Sequence, residues 1–528
     1  MRIAIINTGG TISCVGNPLA PMSAAAFAAA SEQLLNPILQ QQFPDLSIGY
    51  LTQISFPESA SKTLDSTNLQ PTDWCIMAQG ILDNYAAYDG FVILHGTDSM
   101  DFSGAALAFL LNSFDANGYA TAVLNKPVII TGSQVPLYYQ ASSDQALSLN
   151  FNTDAYQNVC GAVAAAQSGI AEVGVYFHNH LYRGNRVVKT NASQFDAFSS
   201  PNYPALAEYG ISLTLNNAAC LPGPVHASLS LENPSVLAGQ QNQLNQITAC
   251  INNFPVIQLN AFPAPYSISP PSAFLATLID AVVSAGARGI ILESYGEGNY
   301  PSGNPDTPSA GAIYQALSQA NQSGVNLVDC TQVLAGTVNN SAYASGAWLP
   351  QVGALAPADM TPMAALAKLM ILMAAAATNG WTRQQVQTLL QSNLAGEMLS
   401  VNYLDSRINA ELLPNQSISA LDGSASLTNT PDQGPVLLAS GQDTPLWRLP
   451  ITIQSSDLPG RLRMQDDGNL VFYNRNNQAI WASDTGQFGG ASSRLVISGH
   501  YASSAPSNSL TMQVYNYSSM VIASQLYP

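Results

Sequence analysis

Charge is scarce in this chain: Asp, Glu, Lys and Arg together make up 9 % of its residues, against the quarter or so usual in soluble domains. Basic side chains are scarcest, 15 Lys and Arg against 32 Asp and Glu, for a formal net charge of −17. With no basic stripe to neutralise phosphates, nucleic acid is not an expected partner. Cysteine is sparse and scattered. Cys14, Cys75, Cys160, Cys220, Cys250 and Cys330 form no Cys-x-x-Cys pair and have no His at ligand spacing, which excludes a zinc site and leaves buried free thiols as the expected state. No metal and no organic cofactor is implied. No classical signal peptide is expected, because residues 1–7 run directly into an apolar strand and Gly9-Gly10, without a basic region, a long apolar core and a cleavage site. The most apolar helical stretch, 364–377, carries Lys368. It is too short to span a bilayer and reads as a core helix, so no membrane span is expected.

What the chain has in quantity is apolar surface and a regular alternation. Its 528 residues are 47 % hydrophobic, and at ~150 residues per domain the length corresponds to about three domains. The runs Ile3-Ala4-Ile5-Ile6, Phe91-Val92-Ile93-Leu94 and Val128-Ile129-Ile130 each lead into a loop of Gly, Thr, Ser or Asp, while 105–111, 272–285 and 362–377 have helical spacing. That alternation predicts an α/β architecture of parallel strands joined by crossover helices. Ligands of such sheets bind beyond the carboxyl ends of the strands, where Thr8-Gly9-Gly10-Thr11 and His95-Gly96-Thr97-Asp98 fall.

Residues 217–253, with Pro222, Pro224, Pro234 and Gln240-Gln241-Asn242-Gln243, interrupt the alternation and are expected to connect one α/β domain, 1–216, to a second, 254–414. The Ser-, Asn-, Thr-, Asp- and Gly-rich segment 415–433 reads as a linker. From 434 to 528, alternating segments such as Leu462-Arg463-Met464 and 469–473 lie between turn residues and predict a small all-β domain.

A Thr-Gly-Gly-Thr loop alone is more often a tight turn than a reactive site. Two threonines in Gly-flanked loops can also do covalent chemistry when a base, a lysine and a carboxylate are held nearby. Here the motifs come as an ordered set: Thr8-Gly9-Gly10-Thr11-Ile12-Ser13, Asp65-Ser66-Thr67-Asn68 before Asp73-Trp74, His95-Gly96-Thr97-Asp98-Ser99-Met100, and Gly132-Ser133-Gln134-Val135-Pro136-Leu137. Leu181-Tyr182-Arg183-Gly184-Asn185-Arg186, Lys189, the segment from Phe195-Asp196 to Pro201-Asn202, Tyr295-Gly296-Glu297-Gly298-Asn299, and Gly353 with Asp359-Met360-Thr361 continue it. In this order they resemble the bacterial-type L-asparaginase and glutaminase family, most closely its cytosolic type I branch, over roughly residues 1–400.

The resemblance implies a two-lobed parallel-sheet fold and hydrolysis of a side-chain amide. By position, Thr11 is implied as the nucleophile that forms an acyl-enzyme, and Thr97, Asp98 and Lys189 as the second catalytic group. Asp65, Ser66 and Gly96 are implied as substrate-binding residues. Asn299 matches the residue the family contributes across a subunit interface, so a homodimer or homotetramer is implied. A lysine ammonium beside a threonine hydroxyl lowers the cost of its alkoxide, which agrees with these roles. One position departs. Where the family has a loop tyrosine after the first Gly-Gly-Thr, this chain has Leu19, which cannot pass a proton. Either Tyr138 or Tyr139 substitutes for it, or turnover is slow, or the substrate differs.

Near the other end, Gln465-Asp466-Asp467-Gly468-Asn469-Leu470-Val471-Phe472-Tyr473 followed by Ile480-Trp481-Ala482-Ser483 resembles the signature of bulb-type mannose-binding lectins, which implies a β-prism lectin fold and a mannose-type glycan as partner. A period of two places Gln465, Asp467, Asn469, Val471 and Tyr473 on one strand face. Amides, a carboxylate and a phenol there can bind vicinal sugar hydroxyls while Val471 packs the ring carbons. The alternative is a solvated polar strand face. The run 510–517, with Val521 and Ile522 after it, resembles a decayed second copy.

The expected protein is therefore an L-asparagine amidohydrolase, with L-glutamine as a second substrate, fused to a glycan-binding module. A carbohydrate-binding protein on an inactive asparaginase-like scaffold is the rival, and an amidotransferase subunit acting on charged tRNA a poorer third. Cytoplasm is the expected compartment, and signal-independent export would reconcile it with glycans outside the cell.

Overall fold

The structure is a computed structural model. It describes residues 1–528 apart from 117, 119, 141, 143, 144, 218, 222, 225, 226, 339–342, 399–402, 407–409, 421–423, 487–492, 499, 500, 502–509, 517–521 and 528. Two compact units emerge, the first comprising 1–338 and 348–398, the second the remainder.

The first unit is built on two sheets. The larger uses β1 (Arg2–Asn7), β2 (Ser47–Tyr50), β3 (Gly90–Leu94), β4 (Val128–Thr131), β5 (Val173–Phe177), β6 (His180–Arg183), β7 (Ala207–Tyr209) and β8 (Leu213–Leu215), in the order β8-β7-β6-β5-β4-β3-β1-β2. From β2 to β5 every pairing is parallel, and β6 to β8 add antiparallel edge strands. β3, β4 and β5 are buried at every residue, which explains their unbroken apolar runs: crossover helices cover the sheet. Helix Ala155–Ala166 packs on β3, β4 and β5, and helix Met100–Leu110 on β4 and β5. The smaller sheet is wholly parallel, β9 (Val256–Asn260), β10 (Gly289–Ser294), β11 (Asn326–Thr331) and β12 (Ala354–Leu355) in that order. The α/β expectation thus describes this unit, and its polar loops follow the carboxyl ends of β1, β3 and β4.

The stretch expected as a bare connection, 217–253, contains the helix Pro234–Cys250. Asn233 caps it by accepting from the Ser235 N–H at 3.0 Å, and Pro234 occupies its first turn, where a missing N–H costs nothing. Glutamine is a good helix former, so the Gln-rich run propagates the helix, and buried Gln240 donates to the Leu110 carbonyl at 2.6 Å. Pro222 lies outside the described residues.

Helix Pro362–Asn379 has 18 residues, capped by Thr361 and ended by Gly380 at φ 72°. It is the one helix among the described residues long and apolar enough to cross a membrane. It is packed inside the fold, against Met100–Leu110 and Pro234–Cys250. Lys368 is fully buried on it and donates to Glu397 and to the Leu390 and Ser392 carbonyls.

The second unit consists of three four-stranded antiparallel sheets. Its strands are β13 (Tyr403–Asp405), β14 (Glu411–Leu412), β15 (Ser417–Ser419), β16 (Ala425–Thr430), β17 (Gly434–Ala439), β18 (Trp447–Arg448), β19 (Arg461–Met464), β20 (Leu470–Tyr473), β21 (Ala479–Ala482), β22 (Ser493–Ser498), β23 (Thr511–Asn516) and β24 (Ile522–Tyr527). The sheet orders are β13-β22-β23-β24, β14-β19-β20-β21 and β15-β16-β17-β18. All three feed one core, Leu404 and Met512 from the first, Leu462 and Phe472 from the second, Leu427 and Leu437 from the third.

The segment 415–433, expected as a linker, instead supplies β15 and β16, with 421–423 outside the described residues. Ala425, Leu427 and Asn429 alternate into the interior. The short polar residues between them hide that period from composition alone. Buried Asn429 ties the edge together, donating to the Leu412 and Gly460 carbonyls at 2.8 and 2.9 Å. The strands β13 and β14, expected inside 254–414, belong to these sheets as well. Of the expected second repeat, β23 and the start of β24 are seen, while Tyr517 and Val521 lie outside the described residues.

Candidate active site

Three loops are brought into backbone contact by small residues. The Gly10 N–H donates to the Leu64 carbonyl at 2.9 Å and the Leu64 N–H to the Thr8 carbonyl at 2.7 Å, joining the loop after β1 to the one that carries Asp65 and Ser66. Gly10 has φ 75°, and a Cβ there would overlap the Gly96 backbone. At Gly96 a Cβ would overlap the Ser66 side chain. Glycine is required at both places because backbone and side chain approach closer than any Cβ allows.

Thr11 begins a short 3-10 turn, Thr11–Ser13, directly after Gly10 and is half-buried. Thr97, buried at 7 % exposure, follows β3. Lys189 ends a two-residue strand, Val188–Lys189, paired with Phe198–Ser199. The Lys189 ammonium donates to Thr97 Oγ1 at 2.9 Å and to Asp98 Oδ1 at 2.7 Å. Three of the residues singled out by sequence therefore form one chain of contacts. Lys189 is one-fifth exposed and Asp98 about half, so the chain runs from the interior to the mouth.

Ser66 is buried, and its hydroxyl has no hydrogen-bond partner among the described residues. Asp65 caps the turn Ser66–Asn68, accepting from the Thr67 N–H at 3.2 Å. His95, fully buried, uses its Nδ1 toward the Gly96 carbonyl at 2.6 Å and its Nε2 toward Ser103 Oγ at 2.9 Å. Since a carbonyl only accepts, Nδ1 carries the proton. Burial lowers this imidazole to about 4, so it is a neutral strut under the loop.

Two supporting residues carry no role in the sequence reading. Asp101 accepts from the Lys189 backbone N–H at 3.2 Å, and Ser99 donates to the Ser66 carbonyl at 2.8 Å. Burial raises the Asp101 carboxyl above its ordinary range. The signal was present: Asp101 stands three residues after Asp98, one helical turn along the same segment. Beyond the loops, Arg186 pairs with Asp359 at 2.6 Å and donates to the Glu397 carbonyl at 2.9 Å, and Arg183 pairs with Glu172 at 2.6 Å. All four side chains are buried. The Leu181–Arg186 motif thus braces the segment leading into Lys189.

Asn299 lies after β10 of the smaller sheet, in a turn closed by reciprocal bonds with Tyr295 at 2.9 Å. Leu19 stands on the hairpin joining Cys14–Val15 to Ala20–Pro21 and is 56 % exposed. Of the two tyrosines that sequence offered in its place, Tyr138 is excluded. It is buried against Phe27, bonded to Ser31 Oγ at 2.7 Å, and burial pushes its phenol up to about 12. Its neighbour Tyr139 is exposed, and the Leu137 N–H ties this segment to the Ile12 carbonyl at 3.1 Å.

In the second unit, the motif from Gln465 to Tyr473 is not one strand. β20 starts at Leu470, and Gln465–Asn469 is the hairpin turn after β19, closed by the Gln465 N–H on the Asn469 carbonyl at 2.9 Å. A turn is needed there because Met464 and Leu470 are register partners, and Gly468 at φ 94° allows it. The turn still gathers the polar groups: Gln465 Nε2 donates to Tyr473 Oη at 2.6 Å, Asp467 accepts from the Asn469 N–H at 2.9 Å, and Asn469 Oδ1 accepts from Ser483 Oγ at 3.1 Å. Val471 is only 3 % exposed, so it packs among its neighbours rather than presenting a bare apolar patch.

Residues 2–220 match the family model for the asparaginase N-terminal domain, and residues 272–390 that for the glutaminase/asparaginase C-terminal domain. L-asparaginase 1 of Escherichia coli (strain K12) is 31 % identical over 396 residues, 75 % of this chain and 97 % of that protein. The 60 kDa lysophospholipase of Mus musculus is 32 % identical over 335 residues, 63 % of this chain and 49 % of that protein. The crystal structure of L-asparaginase I from Vibrio cholerae O1 biovar eltor str. N16961 superposes with a TM-score of 0.53 at 28 % identity, covering 75 % of this chain and 99 % of that one.

Proposed function

This chain belongs to the asparaginase family, and from that premise we propose that it is an L-asparagine amidohydrolase whose nucleophile is Thr11, with L-glutamine as a second substrate and a glycan-binding module at its C-terminus. The observation that carries the catalytic reading is the Lys189 ammonium held between Thr97 Oγ1 and Asp98 Oδ1.

Thr11 Oγ1 attacks the side-chain amide carbon, the C–N bond breaks, and the nitrogen leaves as ammonia after taking up a proton. Water then adds to the acyl-enzyme and restores the Thr11 hydroxyl, releasing aspartate. A Thr97 hydroxyl beside an ammonium gives up its proton at lower cost and can activate that water. Ser66, buried with an unengaged hydroxyl, suits the substrate α-carboxylate, and exposed Asp98 suits its α-ammonium. N–H groups of the glycine-lined loops suit the oxyanion. Tyr139 remains the phenol able to serve where Leu19 cannot, since its segment is bonded to the Thr11 turn. Asn299 completes the site from a neighbouring subunit.

The glycan reading is supported by the convergence of Gln465, Asp467, Asn469 and Tyr473 at one hairpin. The rival, a glycan-binding protein on an inactive enzyme scaffold, is favoured by one observation, exposed Leu19 in the hairpin after Thr11.

Ammonia release from L-asparagine and L-glutamine by the wild type and by Thr11→Ala tests the enzyme reading. Activity abolished by the substitution is expected. No release from either substrate at high enzyme concentration overturns it in favour of the rival.

A further inference from the structure

We propose that the saccharide bound by the C-terminal unit is anionic, a hexuronate or a sulfated sugar, held by Arg463 and Arg461 beside the hydroxyl-binding hairpin. The inference rests on the glycan reading above and names its ligand class.

The sheet register places the charges. Leu462, Met464, Leu470 and Phe472 point into the core, so the residues alternating with them on β19 and β20, Arg461, Arg463, Val471 and Tyr473, point the other way. Arg463 is the direct partner of Val471, and Arg461 of Tyr473. The two arginines therefore stand on the same face as the hairpin's polar groups, one strand over. Adjacent strands lie ~4.8 Å apart, about the width of a hexose ring, so one sugar can reach both.

Their partners leave positive charge over. Glu411, opposite Arg463 on β14, is shared by both: Arg463 Nη1 donates to its Oε1 at 3.1 Å, and Arg461 Nε lies 3.7 Å from the same oxygen. At these register positions one carboxylate faces two guanidiniums, an excess of one positive charge on this side of the site, while the carboxylates of Asp466 and Asp467 belong to the turn itself. Arg461 is further fixed by donating to Asn477 Oδ1 at 2.6 Å and by stacking over the Tyr473 ring, 5.2 Å from its centroid. Arg463 is the freer of the two, 46 % exposed, and among the described residues only its Nη1 is engaged. A guanidinium has five N–H donors, and its remaining fork matches a carboxylate or sulfate. Asp467 sits at the hairpin end, away from the register positions of Arg461 and Arg463. A sugar would therefore lie with its hydroxyls toward Gln465, Asp467 and Asn469 and its anionic group toward Arg463.

The test is calorimetric titration of the full-length protein with oligomannuronate, sulfated oligomannose and neutral oligomannose of equal length, at low and high salt. The expected result is anionic ligands bound ~10-fold or more tightly than the neutral one at low salt, with the advantage shrinking at high salt. The advantage disappears in Arg463→Gln, returns in part in Arg463→Lys, and all binding is lost in Asn469→Ala. Thermal melts show that each variant is folded. Preference for mannuronate over the sulfated sugar identifies a carboxylate ligand, and the reverse a sulfate. Equal binding of neutral and anionic sugars, unchanged in Arg463→Gln, overturns the anionic assignment and leaves the glycan reading standing. Anionic binding that survives Asn469→Ala overturns it as surface attraction, and binding of none of the three overturns both readings.

Discussion

Lys189 ties the candidate site to its scaffold. Its ammonium holds Thr97 and Asp98 while its backbone N–H is held by buried Asp101, so side chain and main chain are fixed from opposite sides. A methionine of similar length keeps the packing but can neither donate to the Thr97 hydroxyl nor stabilise its alkoxide. Lys189→Met is expected to lower kcat by ~10²-fold or more with KM changed little, measured by steady-state ammonia release. A raised KM at unchanged kcat would instead make Lys189 a substrate-binding group.

At the level of single elements, helix Pro71–Asp83 carries an ionisable group that works against the fold at neutral pH. Asp73 accepts from the Gln70 N–H at 2.9 Å in a capping box. It is fully buried, its Oδ1 has no partner among the described residues, and burial raises its carboxyl to about 6. An acid whose folded value lies above its unfolded one stabilises the fold below the unfolded value, and that contribution is lost as pH rises through the folded one. Asp73→Asn keeps the cap acceptor without the charge. It is expected to stabilise the protein at pH 7.5 by about 3 kcal/mol and to have little effect at pH 4, read from denaturant melts at both values. His95 acts with the opposite sign: its imidazole is lowered to about 4, so its contribution is complete above the ordinary histidine value and fades as pH falls toward 4.

For the molecule as a whole, the proposed contribution of Asn299 from a neighbour makes activity a property of the assembly. Thr11→Ala and Asn299→Ala proteins are each expected to be nearly inactive. Mixed, unfolded and refolded together, they should regain activity, because some interfaces then pair an intact Thr11 with an intact Asn299 of another subunit. Absence of recovery, with mixed oligomers shown by native mass spectrometry, would place Asn299 in the site of its own chain or outside the site altogether.

How much of this was legible beforehand follows the range of the forces involved. The buried strands β1, β3 and β4 and the loops after them were readable because continuous apolar runs and glycine punctuation are local signals, and the family motifs lie in those loops. The strands β15 and β16 were not, because their inward positions include Ala425 and Asn429 beside Leu427, too mixed to outweigh a polar composition. The helix Pro234–Cys250 was missed for the same reason: its amphipathic stripe is thin, and its stability comes from packing on two other helices. Sequence by itself determined the strand–loop order of the first α/β sheet, the scarcity of positive charge and the identity of the candidate site residues, all carried by residue type and short spacing. Only the tertiary structure decided that Lys189, 92 positions after Thr97, reaches its hydroxyl, and that Tyr138 is core while Tyr139 is not. It alone showed that Arg461 and Arg463 flank the polar hairpin of Gln465, Asp467 and Asn469, because those outcomes depend on sheet register and burial, which close only when distant segments meet.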